Sequence, residues 1–187
     1  MIQHIGKLSS ICFFHLRRLR KRRLVLDPSS MQRLISAFIM SRLDNCNAAL
    51  AGLPACTLVP LQRVLNAAAR LMVGPTAGDR ISDVIRSLHW LPIEYRIRYK
   101  LCLLMRAVQN GTSPAYIVDI RTPISSLRSH RMLCSAATNQ YEIPRTRTKF
   151  GDRAFSVAGR KNGTIFKRLL ETFVRSHPSN EPLRHTF

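Results

Sequence analysis

Six cations occupy the seven positions from Arg17 to Arg23 (RRLRKRR), namely Arg17, Arg18, Arg20, Lys21, Arg22 and Arg23, and no acid precedes Asp27. A guanidinium presents a planar fork of N–H donors that matches two phosphate oxygens, and lysine adds a point charge. The chemistry open to such a run is grip on a phosphate backbone or service as a nuclear-import-like signal. A plainer role is a solvated helix end, since cations are favoured at helix C-termini. Two smaller sets accompany it: Arg96, Arg98 and Lys100, then Arg145, Arg147 and Lys149, which alternate with threonines. On extended backbone the second set would line up three cations on one side.

Chemistry that needs carboxylates is poorly supplied. Ten acids are spread along the chain, with no adjacent aspartates, and the i,i+4 pair Asp79 and Asp83 lacks a third ligand. A polymerase or nuclease needs a carboxylate clamp on metal and phosphoryl oxygens. There is no phosphate-cradling P-loop and no glycine fingerprint for a dinucleotide. The histidines, at positions 4, 15, 89, 130, 177 and 185, lack ligand spacing. His89, beside the single tryptophan Trp90, reads as a core or helix-start histidine bonded to backbone. The expectation is no enzyme, no metal site and no cofactor.

The whole-chain charge points the same way as the basic run. Thirty Lys plus Arg stand against ten Asp plus Glu, a formal net charge of +20 on 187 residues that are 45% hydrophobic. Such a field favours polyanions, nucleic acid first among them. The five cysteines form no CxxC pair, which argues against a zinc knuckle or a disulfide framework. Four of them read as small buried hydrophobes. No stretch resembles a signal peptide or reaches membrane-spanning length, so an intracellular location is expected, nucleus and cytoplasm alike.

The elements that must position these groups are mostly helical. The stretch Ser87 to Asn110 is the strongest: Ile93, Ile97, Leu101, Leu104, Met105 and Val108 recur at helical spacing. Pro92 stands at its start, and Arg96, Arg98, Lys100 and Arg106 are assigned to its wet back. Trp90 is expected to be mostly buried. Ahead of it come a helix over Ile2 to Leu24, one restarting at Asp27-Pro28, and one from Thr57 or Leu58 to Val73 stopped by Gly74-Pro75. A short helix capped by Asp79 or Ser82 ends near Leu88, and Ser113 caps a brief turn after Asn110-Gly111. The fold class is therefore mainly α: an irregular helical array over residues 1–120. Residues 121–187 form a looser basic region, with short extended segments from Tyr141 to Val157 and a final helix from Thr164.

Five strings in order carry a family resemblance: SAFIMSRLDNCNAALAGLP (Ser36 to Pro54), LQRVLNAAARLMVG (Leu61 to Gly74), LHWLPIEYRIRYKLCLL (Leu88 to Leu104), GTSPAYIVDI (Gly111 to Ile120) and IPRTRTKFGDRAFSVAG (Ile143 to Gly159). Together they resemble the C-terminal part of the reverse-transcriptase polyprotein of LINE-type non-LTR retrotransposons related to the CR1 and L2 groups. The resemblance implies that the first helices correspond to the thumb and the region just after it, with Arg17 to Arg23 as backbone contacts. It also implies that the aspartates of the polymerase and endonuclease lie in domains outside this stretch, so none carries over. The chain departs from that family where Gly159-Arg160-Lys161-Asn162-Gly163 replaces a segment with a tryptophan–asparagine pair, and at Asn45, where relatives often carry an aromatic residue.

The expected function is a non-catalytic fragment that contributes to RNA or DNA template binding through phosphates. The alternatives are an interaction module that docks on a polymerase domain and a general basic nucleic-acid-binding protein. For unpaired bases, Tyr95, Tyr99, Phe150 and Phe155 are stacking candidates, with Tyr99 and Phe155 assigned to the core.

Overall fold

A computed structural model describes residues 1–74, 80–118, 143 and 145–162. Among these residues the backbone is helical or irregular, with no strand. The chain divides into two compact units, Met1–Lys100 and Leu101–Phe187.

The first unit is built on α1 (Ile2–Lys21) and α4 (Ala55–Val73), which pack on one another. Helix α1 buries Ile5, Ser9, Cys12, Leu16 and Leu19, an i, i+4, i+7 stripe, and leaves the arginines on the other side. Its partner buries Leu61, Val64, Leu65, Ala68 and Ala69; the two alanines, wholly covered, permit the close approach. Helix α4 begins at Ala55, two or three residues ahead of the sequence expectation, and carries Pro60 inside it.

Helix α2 (Pro28–Ile35) starts where expected: Asp27 accepts the Ser30 N–H at 3.0 Å and the Ser29 hydroxyl. These donors favour the ionised carboxyl and hold it far below the usual carboxylate range. The same rod continues through a π-helical turn, Ser36–Met40, into α3 (Ser41–Asp44). The Ser41 hydroxyl donates to the Ala37 carbonyl there, and such wide turns re-aim the side chains that follow.

Helix α5 (Ile81–Ser87) packs on α4. Its N-cap residue is Arg80, so Ser82 lies inside the first turn and caps nothing, while Asp79 lies outside the described residues. The far end closes as a Schellman motif: the Trp90 N–H reaches the Ile85 carbonyl and the His89 N–H that of Arg86, both at 2.9 Å. His89 takes the left-handed conformation this requires, φ 54°, with its side chain exposed. It is thus a helix-end residue and not a core one, and Trp90 is only half-buried.

Helix α6 (Ile93–Gln109) is the expected central element, and Ile93, Ile97, Leu101, Met105 and Val108 are buried as its spacing predicts. Its first N–H, on Ile93, is capped from another helix: Gln62 Oε1 of α4 accepts it at 3.0 Å. Gly111, φ 70°, ends the helix in a second Schellman closure through Thr112 N–H to the Ala107 carbonyl.

In the second unit, α7 (Ala115–Val118) follows, and the Ser113 hydroxyl expected to cap it bonds no described residue. The extended segments expected from Tyr141 to Val157 are not strands among the described residues. The chain turns at 147–150, forms one 3-10 turn at Gly151–Arg153, and is helical at 155–162. A hydroxyl-and-carboxylate knot causes the turn: Thr148 Oγ1 accepts the Gly151 N–H at 3.0 Å, and Thr146 donates to Asp152 at 2.6 Å. The helix at 155–162 lies against the end of α6, where a Cβ added to Gly159 would stand 3.2 Å from Met105 Sδ. The final helix expected from Thr164 lies outside the described residues. No helix among the described residues is long and apolar enough to cross a membrane.

The expectation of four buried cysteines does not hold. Cys12 and Cys102 are buried, which pushes both thiols up, but Cys46 and Cys56 are exposed. Cys46 sits in the left-handed conformation at the end of α3, where the chain must turn before packing Leu50.

Candidate nucleic-acid interface

Helix α1 sets the arginines by simple periodicity. With Leu16 and Leu19 anchored inward, Arg17, Arg18, Arg20, Lys21 and Arg22 are exposed around the last turn, and Arg23 is half-buried just beyond it. Arg18 lies over the Phe14 ring, 5.6 Å from its centroid, so one face of that guanidinium is already in use. None of these six cations pairs with a carboxylate among the described residues.

Arg20 and Arg23 border a recess of about 580 Å³ between the ends of α1 and α4 and the start of α5. Arg70 of α4 adds a third guanidinium, a residue that sequence reading passed over because it belongs to no run of cations. Leu71, Val73, Ile81 and Val84 supply apolar wall. The Arg23 guanidinium reaches across to Gly74, so close that an added Cβ would collide with its Nη2. Gly74 has φ 103° and ψ 179°, a conformation open essentially to glycine alone. Both requirements make this glycine specific to the site. Three guanidinium groups around one recess can bind a polyanion's phosphate oxygens by charge-assisted hydrogen bonds.

The second basic set is split. Arg96, expected on the wet back of α6, instead turns inward with a side chain only 16% exposed. Its Nη1 donates to both oxygens of Asp44 at 2.7 and 2.6 Å, its Nε to the Leu91 carbonyl at 3.0 Å, and its Nη2 faces Met40 Sδ at 3.5 Å. It is a clamp between α6 and the end of α3. Arg98 is exposed, paired at 2.5 Å with Glu94 one turn earlier and set over the Tyr95 ring. Lys100 is exposed.

Arg145, Arg147 and Lys149 are all exposed in the second unit, on a turning segment and not on the strand that would have aligned them. Phe150 beside them is exposed and Phe155 half-buried. Tyr99, assigned to the core from sequence, is exposed, as is Tyr95. Among the described residues no group of three or more His, Cys, Asp or Glu is placed to hold a metal ion.

His15 lies at the edge of the same helix face, stacked on Phe38 (5.1 Å between centroids, 8° between planes) and edge-on to Phe14. Desolvation first, then the charges of Arg42 and Arg18, lower its pKa below the usual histidine value. Its signal in the sequence was weak, because the stacking partner lies on a different helix.

Comparison of the chain with protein-family models, with curated proteins and with solved structures finds no match in any of the three.

Proposed function

We propose that the chain is a non-catalytic nucleic-acid-binding fragment of the retrotransposon reverse-transcriptase type that its sequence resembles, holding RNA or DNA through the phosphate backbone. One observation carries the reading most: six cations end α1 without a described carboxylate to neutralise them, and two of them join Arg70 around a recess. Phosphate contacts of this kind supply affinity without reading sequence. No step of catalysis is assigned to any residue.

The test is a salt titration of binding to duplex DNA, to an RNA–DNA hybrid and to structured RNA. Each phosphate neutralised contributes about −0.9 to the slope of log K against log salt on B-DNA, so six contacts give a slope of about −5. A flat salt dependence would falsify the reading.

A second reading, a docking module for a polymerase domain, draws on a different observation. Leu24 is 100% exposed and Val25 83%, side by side immediately after the basic run. Large apolar groups at full exposure mark surfaces that meet something. Replacing both with serine separates the readings: docking predicts loss of binding to a separately prepared polymerase domain, with salt-dependent nucleic-acid binding retained.

A further inference from the structure

The solvent face of α6 carries a pair of side chains that the fold does not explain. Ile93 and Ile97 point into the core, at 3% and 4% exposure. Tyr95 and Tyr99 each stand two residues further on, about 200° around the axis, and so lie on the opposite face. They are 55% and 51% exposed. A helix of this kind ordinarily spends that face on charged residues. Single exposed aromatics need no explanation. Two of them at i,i+4, about 6 Å apart along the axis, form a ladder of rings.

What surrounds the ladder selects its occupant. Arg98 lies between the tyrosines in sequence with its guanidinium 5.8 Å from the Tyr95 centroid, and Lys100 follows Tyr99. The single acid of α6, Glu94, is paired with Arg98 at 2.5 Å. Cations interleaved with exposed rings, on a chain of net charge +20, complement a strand that offers negative phosphates and unpaired flat bases together. A duplex offers only the first of these, because its bases are already stacked on one another. A neutral or basic protein surface offers neither.

We infer that Tyr95 and Tyr99 form a stacking platform for single-stranded nucleic acid, on which successive unpaired bases lie against the rings while Arg98 and Lys100 meet the phosphates. The inference rests on the nucleic-acid reading above and gives it a preferred substrate, the single strand. Stacking engages the base and not the sugar, so single-stranded RNA and DNA of the same sequence bind alike.

The experiment measures fluorescence anisotropy of three labelled 20-mers: single-stranded RNA, single-stranded DNA and duplex DNA. The proteins are the full chain, the double variant Tyr95→Leu/Tyr99→Leu, which keeps apolar bulk without a π-face, and Tyr95→Phe/Tyr99→Phe, which keeps the rings. Both positions are exposed, and matching circular dichroism confirms that the fold is retained. The leucine variant is expected to lose about tenfold or more per tyrosine on both single strands and less than about twofold on the duplex. The phenylalanine variant stays within about threefold of the parent on all three. Equal single-strand binding by the parent and the leucine variant overturns the platform and leaves the face to a protein partner. Parallel losses on single strand and duplex overturn it as well. Duplex binding with a normal salt slope in either case shows that only this inference has failed, whereas absence of binding in every arm removes the nucleic-acid reading with it.

Discussion

Two stretches of the first unit look alike in sequence and are used differently. Arg17 to Arg23 and Arg96 to Lys100 are both helical and both rich in arginine. In the first, no cation meets a described carboxylate. In the second, Arg96 is committed to Asp44, 52 residues away in sequence, whereas Arg98 shares only an exposed pair with Glu94, one turn away, and keeps half of its side chain in solvent. The difference is a matter of acids and not of cations. With ten carboxylates for thirty cations, the position of each acid decides which arginines hold the fold and which remain for a ligand. Asp44 lies at the end of the π-bulged rod, where the Arg96 guanidinium reaches it.

The largest expected effect breaks the comparison from the ligand side. Replacing Arg17, Arg18, Arg20, Lys21, Arg22 and Arg23 by glutamine should lower affinity for duplex DNA on the order of 100- to 1,000-fold at moderate salt and flatten the salt slope. The melting temperature should hold or rise, since like-charge repulsion is relieved. Arg98→Gln with Lys100→Gln should cost the duplex less than about tenfold, because fewer phosphates lose a partner. Equal losses in the two variants would erase the distinction between the stretches.

The fold side of that distinction was only partly legible in the sequence. Periodicity found α1, α2, α4 and α6, and it found the Asp27 cap, because those signals are local and sit within one or two helical turns. What it missed depends on contacts between distant positions. Arg96 looks like a surface residue until the fold sets Asp44, 52 residues away in sequence, against it. Arg70 gains its role only when the ends of α1 and α4 meet. The stretch from Tyr141 to Val157 was read as extended because alternating Thr and Arg at 145–149 mimic a strand, whereas the Thr146 and Thr148 hydroxyls bond locally and turn the chain. Tyr99 was assigned to the core, although its position, opposite Ile93 and Ile97, already placed it outside.

Asp44→Ala tests the clamp itself. It leaves the Arg96 guanidinium mostly buried without its anion, and the expected cost is about 2 kcal/mol in a urea melt, less than for a fully buried pair because the Asp44 side chain is 44% exposed. Affinity per folded molecule should not fall. A gain in binding without a loss of stability would mean that Asp44 only screens Arg96 from a ligand and does not hold the fold.

Gly74→Ala joins the two sides of the comparison at one atom. The added methyl meets the Arg23 guanidinium and forces a positive φ on alanine, for an expected loss of about 1–2 kcal/mol. Since Arg23 must also leave the recess, the salt slope should fall by about one unit, the signature of one lost phosphate contact. Stability loss with an unchanged slope would mean that Arg23 serves only to cover the end of α4, whose carbonyls attract a cation in any case.

The smallest expected effect concerns how the chain enters α6. Helices α5 and α6 end in the same hydrogen-bonded closure, yet α6 uses Gly111 at the left-handed position and α5 uses His89. A residue with a Cβ is disfavoured there by sterics that glycine escapes. His89→Gly should therefore stabilise the chain by about 0.5–1 kcal/mol, offset in part by the greater freedom glycine gains on unfolding. The His89 side chain is exposed, so its removal leaves no cavity. The turn it occupies sets Trp90 and Leu91 ahead of α6, and the Leu91 carbonyl accepts from Arg96 Nε. A destabilised His89→Gly variant would thus show that the imidazole makes a contact worth more than the strain, and the entry to the clamp would then depend on a side chain as well as on a turn.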